Sequence, residues 1–152
     1  MDVAKILNKY PKKREYILDI LHEVQNNDPN QYLSNDSLKK VAVHLNIPLA
    51  QVYGIVGYYS MFSTKPRGKY LIRVCKSPVC SLMGGEKVFD SVKATLDRYF
   101  PDKSAQLNFT IEETECLGQC SESPCLMINQ TIYGNLTPEK IDSIILELKA
   151  SL

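Results

Sequence analysis

The sequence predicts an α+β protein, in which a helical N-terminal domain, residues 1–66, precedes a small α/β layer, residues 67–152. Two observations predict this class. Apolar residues in the first part recur at helical spacing, and short alternating segments in the second part separate two longer helical patterns. Between them, the breaker cluster Thr64 to Gly68 interrupts both periodicities. We therefore place the domain boundary at this cluster.

Three helices are predicted in the first domain. Lys12 to Asn26 is amphipathic, with apolar residues at helical spacing between charged ones. A second helix begins after an N-cap at Ser34 or Asn35 and ends at Asn46-Ile47-Pro48. The third, Leu49 to Phe62, contains no charged residue. We expect it to be buried on most sides, either by the core or by a partner.

In the second domain, strands and helices follow in the order β-α-β-β-β-α. Asn129-Gln130 is a hairpin turn between the last two strands. Thr137 caps the last helix, and Pro138 fills the first helical position, where its missing N–H costs nothing. The other predicted elements are the strand Lys69–Val74, the helix Gly84–Tyr99, and the strands Leu107–Glu112, Cys125–Ile128 and Thr131–Tyr133.

Charge and hydropathy exclude several classes of protein. The 18 basic and 17 acidic residues leave a net charge of +1, too weak a field to favour nucleic acid or an anionic membrane as partner. No apolar stretch is long enough to span a bilayer, and Met1 to Lys5 lacks the features of a signal peptide. We expect a cytoplasmic protein without direct membrane insertion. In a reducing cytosol its 5 cysteines favour metal ligation over disulfides.

The cysteines are the most informative feature of the chain. Four of them form two clusters, Cys75-x4-Cys80 and Cys116-x3-Cys120, each in a loop after a predicted strand. Thiolates select zinc, copper(I) or iron-sulfur clusters, and two such loops can enclose one four-thiolate site. The spacing alone leaves structural zinc and a 2Fe-2S cluster open. A thioredoxin-type Cys-x-x-Cys redox motif is absent.

Features around these clusters suit an iron-sulfur centre, whose negative charge requires N–H donors. Gly84-Gly85 opens the helix after Cys80, so its N-terminal amides are candidate donors, and Gly118 lies within the second cluster. Arg73 and Lys76 are candidate nearby cations.

Several motifs resemble, in order and spacing, those of one known family: Tyr32-Leu33-Ser34, Ile47 to Gly54, Tyr59 to Phe62, Cys75-x4-Cys80, Cys116-Leu117-Gly118-x-Cys120, and Tyr133-Gly134-x-Leu136 to Lys140. Over about Leu18 to Leu148 the chain resembles the thioredoxin-like 2Fe-2S subunit of NADH-linked oxidoreductases. That family includes the small iron-sulfur subunit of respiratory complex I. It also includes the equivalent subunits of soluble NAD-linked, often electron-bifurcating, hydrogenases and formate dehydrogenases.

The resemblance implies a thioredoxin-like 2Fe-2S ferredoxin domain behind the helical domain, with the cluster bound by Cys75, Cys80, Cys116 and Cys120. It also implies docking on an NADH-binding, iron-sulfur flavoprotein subunit, whose FMN takes a hydride from NADH and exchanges single electrons with the cluster. Further iron-sulfur or catalytic subunits are expected in the same complex. This chain has no GxGxxG or P-loop pattern, so it is expected to transfer no hydride itself. The expected complex is a soluble electron-bifurcating NAD-linked hydrogenase or a related oxidoreductase. Respiratory complex I and a free-standing thioredoxin-like ferredoxin are the alternatives.

Some residues depart from the family pattern or lie outside it. Relatives commonly read Cys-x-x-Ala-Pro after the last ligand, where this chain has Ser121-Glu122-Ser123-Pro124. Cys125 then occupies a usually aliphatic position, either as a small buried strand residue or as a reserve ligand or redox-sensitive thiol.

His22 and His44, on predicted helices, are interpreted as surface or core residues. The aromatic residues of the third helix are either interface anchors or core: Tyr53, Tyr58, Tyr59 and Phe62.

A competing class is an iron-sulfur transcription factor, because Leu38 to Tyr59 also resembles a helix-turn-helix. A recognition helix must present Arg, Lys, Asn or Gln to the DNA. Leu49 to Phe62 offers only Gln51, which argues against a regulator.

Overall fold

The computed structural model of the chain describes residues 3–151. Met1 and Asp2, on which part of the location prediction rests, lie outside the described residues. The chain divides into two compact units between Arg67 and Gly68, one residue after the predicted domain boundary. Independent folding of the two parts stays a prediction.

The first unit is helical. Its helices are α1 (Val3–Leu7), α2 (Ile17–Asn26), α3 (Asn35–Leu45) and α4 (Leu49–Tyr58), and a 3₁₀ turn, Arg14–Tyr16, leads into α2. Ser34 caps α3, since its Oγ accepts a hydrogen bond from Ser37 N at 3.1 Å. Gln25, 5% exposed, donates to Met61 O at 3.0 Å and accepts from Ser63 N at 2.8 Å, so it ties the segment after α4 to α2.

The uncharged helix α4 is shorter and less buried than predicted. It ends at Tyr58, because Tyr59 is extended, and only Val52 and Val56 among its residues are buried. Burial on most sides by the chain's own core is therefore wrong. Of the four aromatic residues, Phe62 is buried and Tyr59 packs partly against the core, whereas Tyr53 and Tyr58 are 39% and 83% exposed.

No single helix within residues 3–151 has the length and hydropathy to cross a membrane. Helices α3 and α4 reach them only when taken together, and they are bent by 118° relative to each other.

The second unit contains both strands and helices. Its elements are β1 (Tyr70–Cys75), α5 (Pro78–Leu82), α6 (Gly85–Tyr99), α7 (Lys103–Gln106), β2 (Phe109–Thr114), β3 (Leu126–Ile128), β4 (Thr131–Tyr133) and α8 (Pro138–Ala150). The strands form a four-stranded mixed sheet in the order β2-β1-β3-β4. β1 is parallel to β2 and antiparallel to β3, and β3 and β4 form the predicted hairpin. The order of strands and long helices agrees with the sequence prediction, with most ends shifted by one or two residues, whereas the short helices α5 and α7 were not predicted.

Helices α6 and α8 pack against each other and share one apolar core with the sheet. Alternate residues of β1 enter this core, Ile72 and Val74 among them, as expected from the two-residue period of a strand. Thr95 on α6 donates to Asp142 on α8 at 2.8 Å, which ties the two helices together. The strand ends that carry the cysteine loops thus lie on a packed framework.

Candidate metal centre

Cys75 is the last residue of β1 and is 1% exposed. Its N–H donates to the Cys125 carbonyl at 3.2 Å, and the following residue, Lys76, donates its N–H to Thr114 O at 2.9 Å. Thr114 pairs with Cys75 in the parallel register of β1 and β2. The three chain segments that carry the cysteines therefore meet at one end of the sheet, where β1 and β2 end and β3 begins.

Cys80 lies on the short helix α5 and is also 1% exposed. The loop closes tightly behind it. A Cβ added at Gly85, the first residue of α6, would lie 2.7 Å from the Cys80 carbonyl oxygen and 3.3 Å from that of Cys75. Only glycine permits this approach. Gly84 precedes it with φ of +93°, a conformation that glycine adopts readily. The predicted opening of α6 by these two glycines is confirmed.

Cys116 and Cys120 form an exposed pair with their Sγ atoms 3.5 Å apart. Two thiolates on one tetrahedral metal with bonds of about 2.3 Å lie about 3.8 Å apart, so this pair already has the spacing of two ligands of one metal ion. Gly118, with φ of +83°, donates its N–H to Cys116 Sγ at 3.3 Å. This residue supplies the backbone donor that the sequence predicted there.

Ser123 connects the buried and exposed cysteines. Its Oγ donates to the Cys120 carbonyl at 2.9 Å and lies 3.4 Å from Cys80 Sγ. The two pairs are also in electrostatic range of each other. The neighbouring Cys116 thiol raises the pKa of Cys120 most, and the charges of Cys80 and Cys75 raise it further.

Cys125 completes a group of three buried thiols. The sulfurs of Cys75, Cys80 and Cys125 all lie within 4.8 Å of one another, and Cys80 Sγ is 3.7 Å from Cys125 Sγ. Burial, together with the neighbouring Cys80 thiol, raises the pKa of Cys125 to about 12. Burial also raises the pKa of Cys80, but hydrogen bonds from Ser123 and the neighbouring cysteines outweigh it and leave that pKa below its ordinary value.

Of the alternatives that the sequence left open for Cys125, burial is confirmed, since the residue is 1% exposed, whereas its contact with Cys80 was not predicted. The one sequence feature that points to this contact is a cysteine at a usually aliphatic position, five residues after Cys120. Cys125 directly precedes β3 instead of lying inside it.

The other candidate residues have partners of their own. Arg73 and Lys76, the candidate cations, form ion pairs with Glu112 and Glu113 at 3.7 Å each.

His22 and His44 belong to the helical unit. The His22 ring lies 4.8 Å from that of Phe62, and His44 Nε2 is 3.2 Å from the Tyr10 carbonyl oxygen. Neither histidine is among the metal-binding candidates of the described residues.

The donor set fits a soft metal centre. All five cysteines are free thiols, three in one buried group and two in the adjacent exposed pair. Sulfur-only sites hold zinc or iron-sulfur clusters, and a 2Fe-2S cluster takes two thiolates on each iron. The residues present therefore supply the four thiolates that such a cluster requires.

Comparison with known proteins gives a family match over nearly the whole chain. Residues 3–149 match the model of the thioredoxin-like 2Fe-2S ferredoxin family. In the crystal structure of an NAD⁺-reducing NiFe-hydrogenase in its air-oxidized state, one chain superposes with a TM-score of 0.74 at 18% identity. That superposition covers 93% of this chain and 24% of the hydrogenase chain, and it shows a shared fold.

Similar curated proteins are subunits of two kinds of enzyme. The NADP-reducing hydrogenase subunit HndA of Solidesulfovibrio fructosivorans is 34% identical, covering 96% of this chain and 84% of its own length. An NADH-quinone oxidoreductase subunit of Aquifex aeolicus is 41% identical, covering 84% of this chain and 78% of its own length. The corresponding subunit of Mycobacterium tuberculosis is 31% identical over 99% of this chain, which spans only 59% of that relative.

Proposed function

Because the chain belongs to the thioredoxin-like 2Fe-2S ferredoxin family, we propose that it is the electron-transfer subunit of a multisubunit NAD(H)-linked oxidoreductase. In this proposal Cys75, Cys80, Cys116 and Cys120 hold one 2Fe-2S cluster, which exchanges single electrons with the FMN of an NADH-binding flavoprotein subunit. The observation that carries the proposal is the family match over residues 3–149 in a chain whose two cysteine pairs lie at one end of the sheet.

The contacts of the thiols support this assignment. The 3.5 Å spacing of Cys116 and Cys120 suits one metal, and the buried Cys75 and Cys80 supply the second pair. The N–H of Gly118 donates to Cys116 Sγ, which stabilises negative charge on that sulfur. When bound, the cluster supplies a one-electron redox centre whose potential depends on such hydrogen bonds and on exposure.

Hydride transfer is assigned to a partner subunit. The chain has no dinucleotide-binding motif, so its part in the oxidoreductase is electron transfer alone. A cytoplasmic location agrees with five cysteines that all remain free thiols.

For docking of the flavoprotein, the loop that carries Cys80 presents an apolar edge. Val79, Leu82 and Met83 are 45%, 87% and 59% exposed. A partner seated on this edge would lie beside the proposed cluster ligands, which shortens the distance for electron transfer. Exposed Tyr53 and Tyr58 of α4 are the remaining candidates from the aromatic anchors predicted in the helical domain.

The complex we propose is a soluble, electron-bifurcating NAD-linked hydrogenase or a related oxidoreductase. The similarity to HndA of an NADP-reducing hydrogenase supports a hydrogenase. Respiratory complex I is the second candidate, supported by the similarity to the NADH-quinone oxidoreductase subunits. The subunits that co-purify with the chain distinguish the two, and purification without any flavoprotein would favour a free-standing ferredoxin.

The test is reduction by NADH, followed by electron paramagnetic resonance (EPR). We expect NADH to produce the reduced-cluster signal when the co-purified flavoprotein is present, and to produce none with the isolated chain. Dithionite should reduce the isolated chain, which shows that its cluster is intact. Direct reduction of the isolated chain by NADH would contradict a subunit that transfers no hydride. A chain that contains no iron would contradict the cluster itself.

A further inference from the structure

The buried thiol group contains one sulfur more than a four-thiolate cluster requires. We infer that Cys125 is a latent ligand, which takes the place of Cys80 on the metal when the Cys80 thiol is lost. This inference rests on the proposed function, because it concerns the same cluster. The sequence left Cys125 open as a buried strand residue, a reserve ligand or a redox-sensitive thiol, and the geometry of the buried thiols favours the reserve ligand.

The first observation is the distance between sulfurs. Cys125 Sγ lies 3.7 Å from Cys80 Sγ, and both lie within 4.8 Å of Cys75 Sγ. Two thiolates on one tetrahedral metal are about 3.8 Å apart, as worked out from bonds of about 2.3 Å. Cys75 with Cys125 is thus a ligand pair within about an ångström of the required spacing. The Cys125 thiol is therefore close enough to Cys75 for the two to share one metal ion.

The second observation is that the Cys125 backbone is held firmly. The antiparallel register pairs Val74 with Leu126, so the next pair along the two strands is Cys75 and Cys125. The N–H of Cys75 donates to the Cys125 carbonyl at 3.2 Å, which confirms this placement. On the preceding residue, the Pro124 carbonyl accepts from Leu136 N at 3.1 Å. Cys125 therefore keeps its position when α5, which carries Cys80, is disturbed.

The third observation is that the extra thiol lies beside only one of the two cysteine pairs, the buried one. Cys116 and Cys120 lie 3.5 Å apart as an exposed pair, and the three remaining cysteines form the buried group. A substitute thiol is therefore in place for Cys80 but not for Cys116. This difference provides a matched control within the same chain. When Cys125 binds the metal, its thiol proton is released to solvent, as for any cysteine ligand.

The test compares cluster content among variants purified anaerobically: Cys125→Ala, Cys80→Ala, Cys80→Ala/Cys125→Ala and Cys116→Ala. We expect Cys125→Ala to match the wild type, and Cys80→Ala to keep at least about half of the wild-type iron and sulfide with a changed EPR signal. The double variant and Cys116→Ala should each fall to about a tenth or less, because losing even a hydrogen-bond partner of a ligand lowers metal affinity about 10–100-fold, and these variants lose a ligand itself.

Three results would overturn the inference. Equal cluster content in Cys80→Ala and the double variant would show that Cys125 does not replace Cys80. Full retention in Cys116→Ala would show that any three thiolates suffice. Loss in Cys125→Ala would make Cys125 a resident ligand instead of a latent one.

Circular dichroism and thermal melting show which variants are folded. Cys80→Val, which fills the space of the sulfur without a donor atom, replaces Cys80→Ala in both the single and the double variant if the alanine variant is unfolded. A wild type without iron or sulfide contradicts the proposed function instead. The two failures are therefore distinguishable.

Discussion

Gly85→Ala is the substitution whose effect follows most directly from the site geometry. The added Cβ would lie 2.7 Å from the Cys80 carbonyl oxygen and 2.9 Å from its carbonyl carbon. Both are backbone atoms, so no side chain can rotate away. Overpacking of this kind costs about 1–3 kcal/mol. The usual gain of alanine over glycine in a helix is about 0.5–1 kcal/mol. Because the contact is with backbone atoms, the cost lies at the severe end of that range, and the net destabilisation is about 2 kcal/mol.

The assay is thermal melting by circular dichroism, together with iron content. For a unit of this size, about 2 kcal/mol lowers Tm by about 8–16 °C. Iron should fall as well, because relief of the contact displaces the backbone of a proposed ligand. Gly54→Ala in α4 is the control, since its Cβ would meet nothing within 4 Å, and it should be neutral or slightly stabilising. A Gly85→Ala protein with wild-type Tm and iron content would refute the packing described here.

Three further predictions concern capping, thiol reactivity and docking. Thr137→Ala removes the Oγ that accepts a hydrogen bond from Lys140 N at 3.3 Å, so it should lower the free energy of unfolding in urea by about 1 kcal/mol. The control Thr131→Ala, at an exposed position of β4, should lower it by less. With its pKa at about 12, Cys125 stays protonated at pH 8. In metal-free protein, iodoacetamide should therefore label Cys125 far more slowly than exposed Cys116, which mass spectrometry would measure. Equal labelling of the two cysteines would contradict the burial of Cys125. Because each pH unit below 12 changes the thiolate fraction about tenfold, labelling of Cys125 should rise towards pH 10. Leu82→Glu should reduce co-purification of the flavoprotein. The control Val43→Glu, at a similarly exposed position of the helical unit, should leave co-purification unchanged. The reverse pattern would place the docking surface on the helical unit.

The long elements were predictable because their signals are local. Ser34 and Thr137 cap helices where the sequence placed them, and β4 covers the predicted Thr131–Tyr133. The five-residue helix α5 was missed because it is too short to show a helical period. The excessive burial expected for α4 came from composition, which gives apolar content but not which residues face the core.

The site was predictable in part for the same reason. The members of each pair, Cys75-x4-Cys80 and Cys116-x3-Cys120, are close together in the chain, so spacing alone pairs them. The contact of Cys125 with Cys80 depends on the register between β1 and β3, which is a long-range property of the sheet. The approach of Gly85 to the Cys80 carbonyl is likewise a packing feature that spacing does not reveal.

The central claim is that the cysteines hold a 2Fe-2S cluster, and metal analysis of anaerobically purified protein tests it most directly. Iron, acid-labile sulfide and zinc are measured together, with an EPR spectrum after reduction. We expect about two irons and two sulfides per chain, and a reduced-state 2Fe-2S signal. About one zinc per chain and no sulfide would contradict it, since the cysteines would then form a structural zinc site without electron transfer.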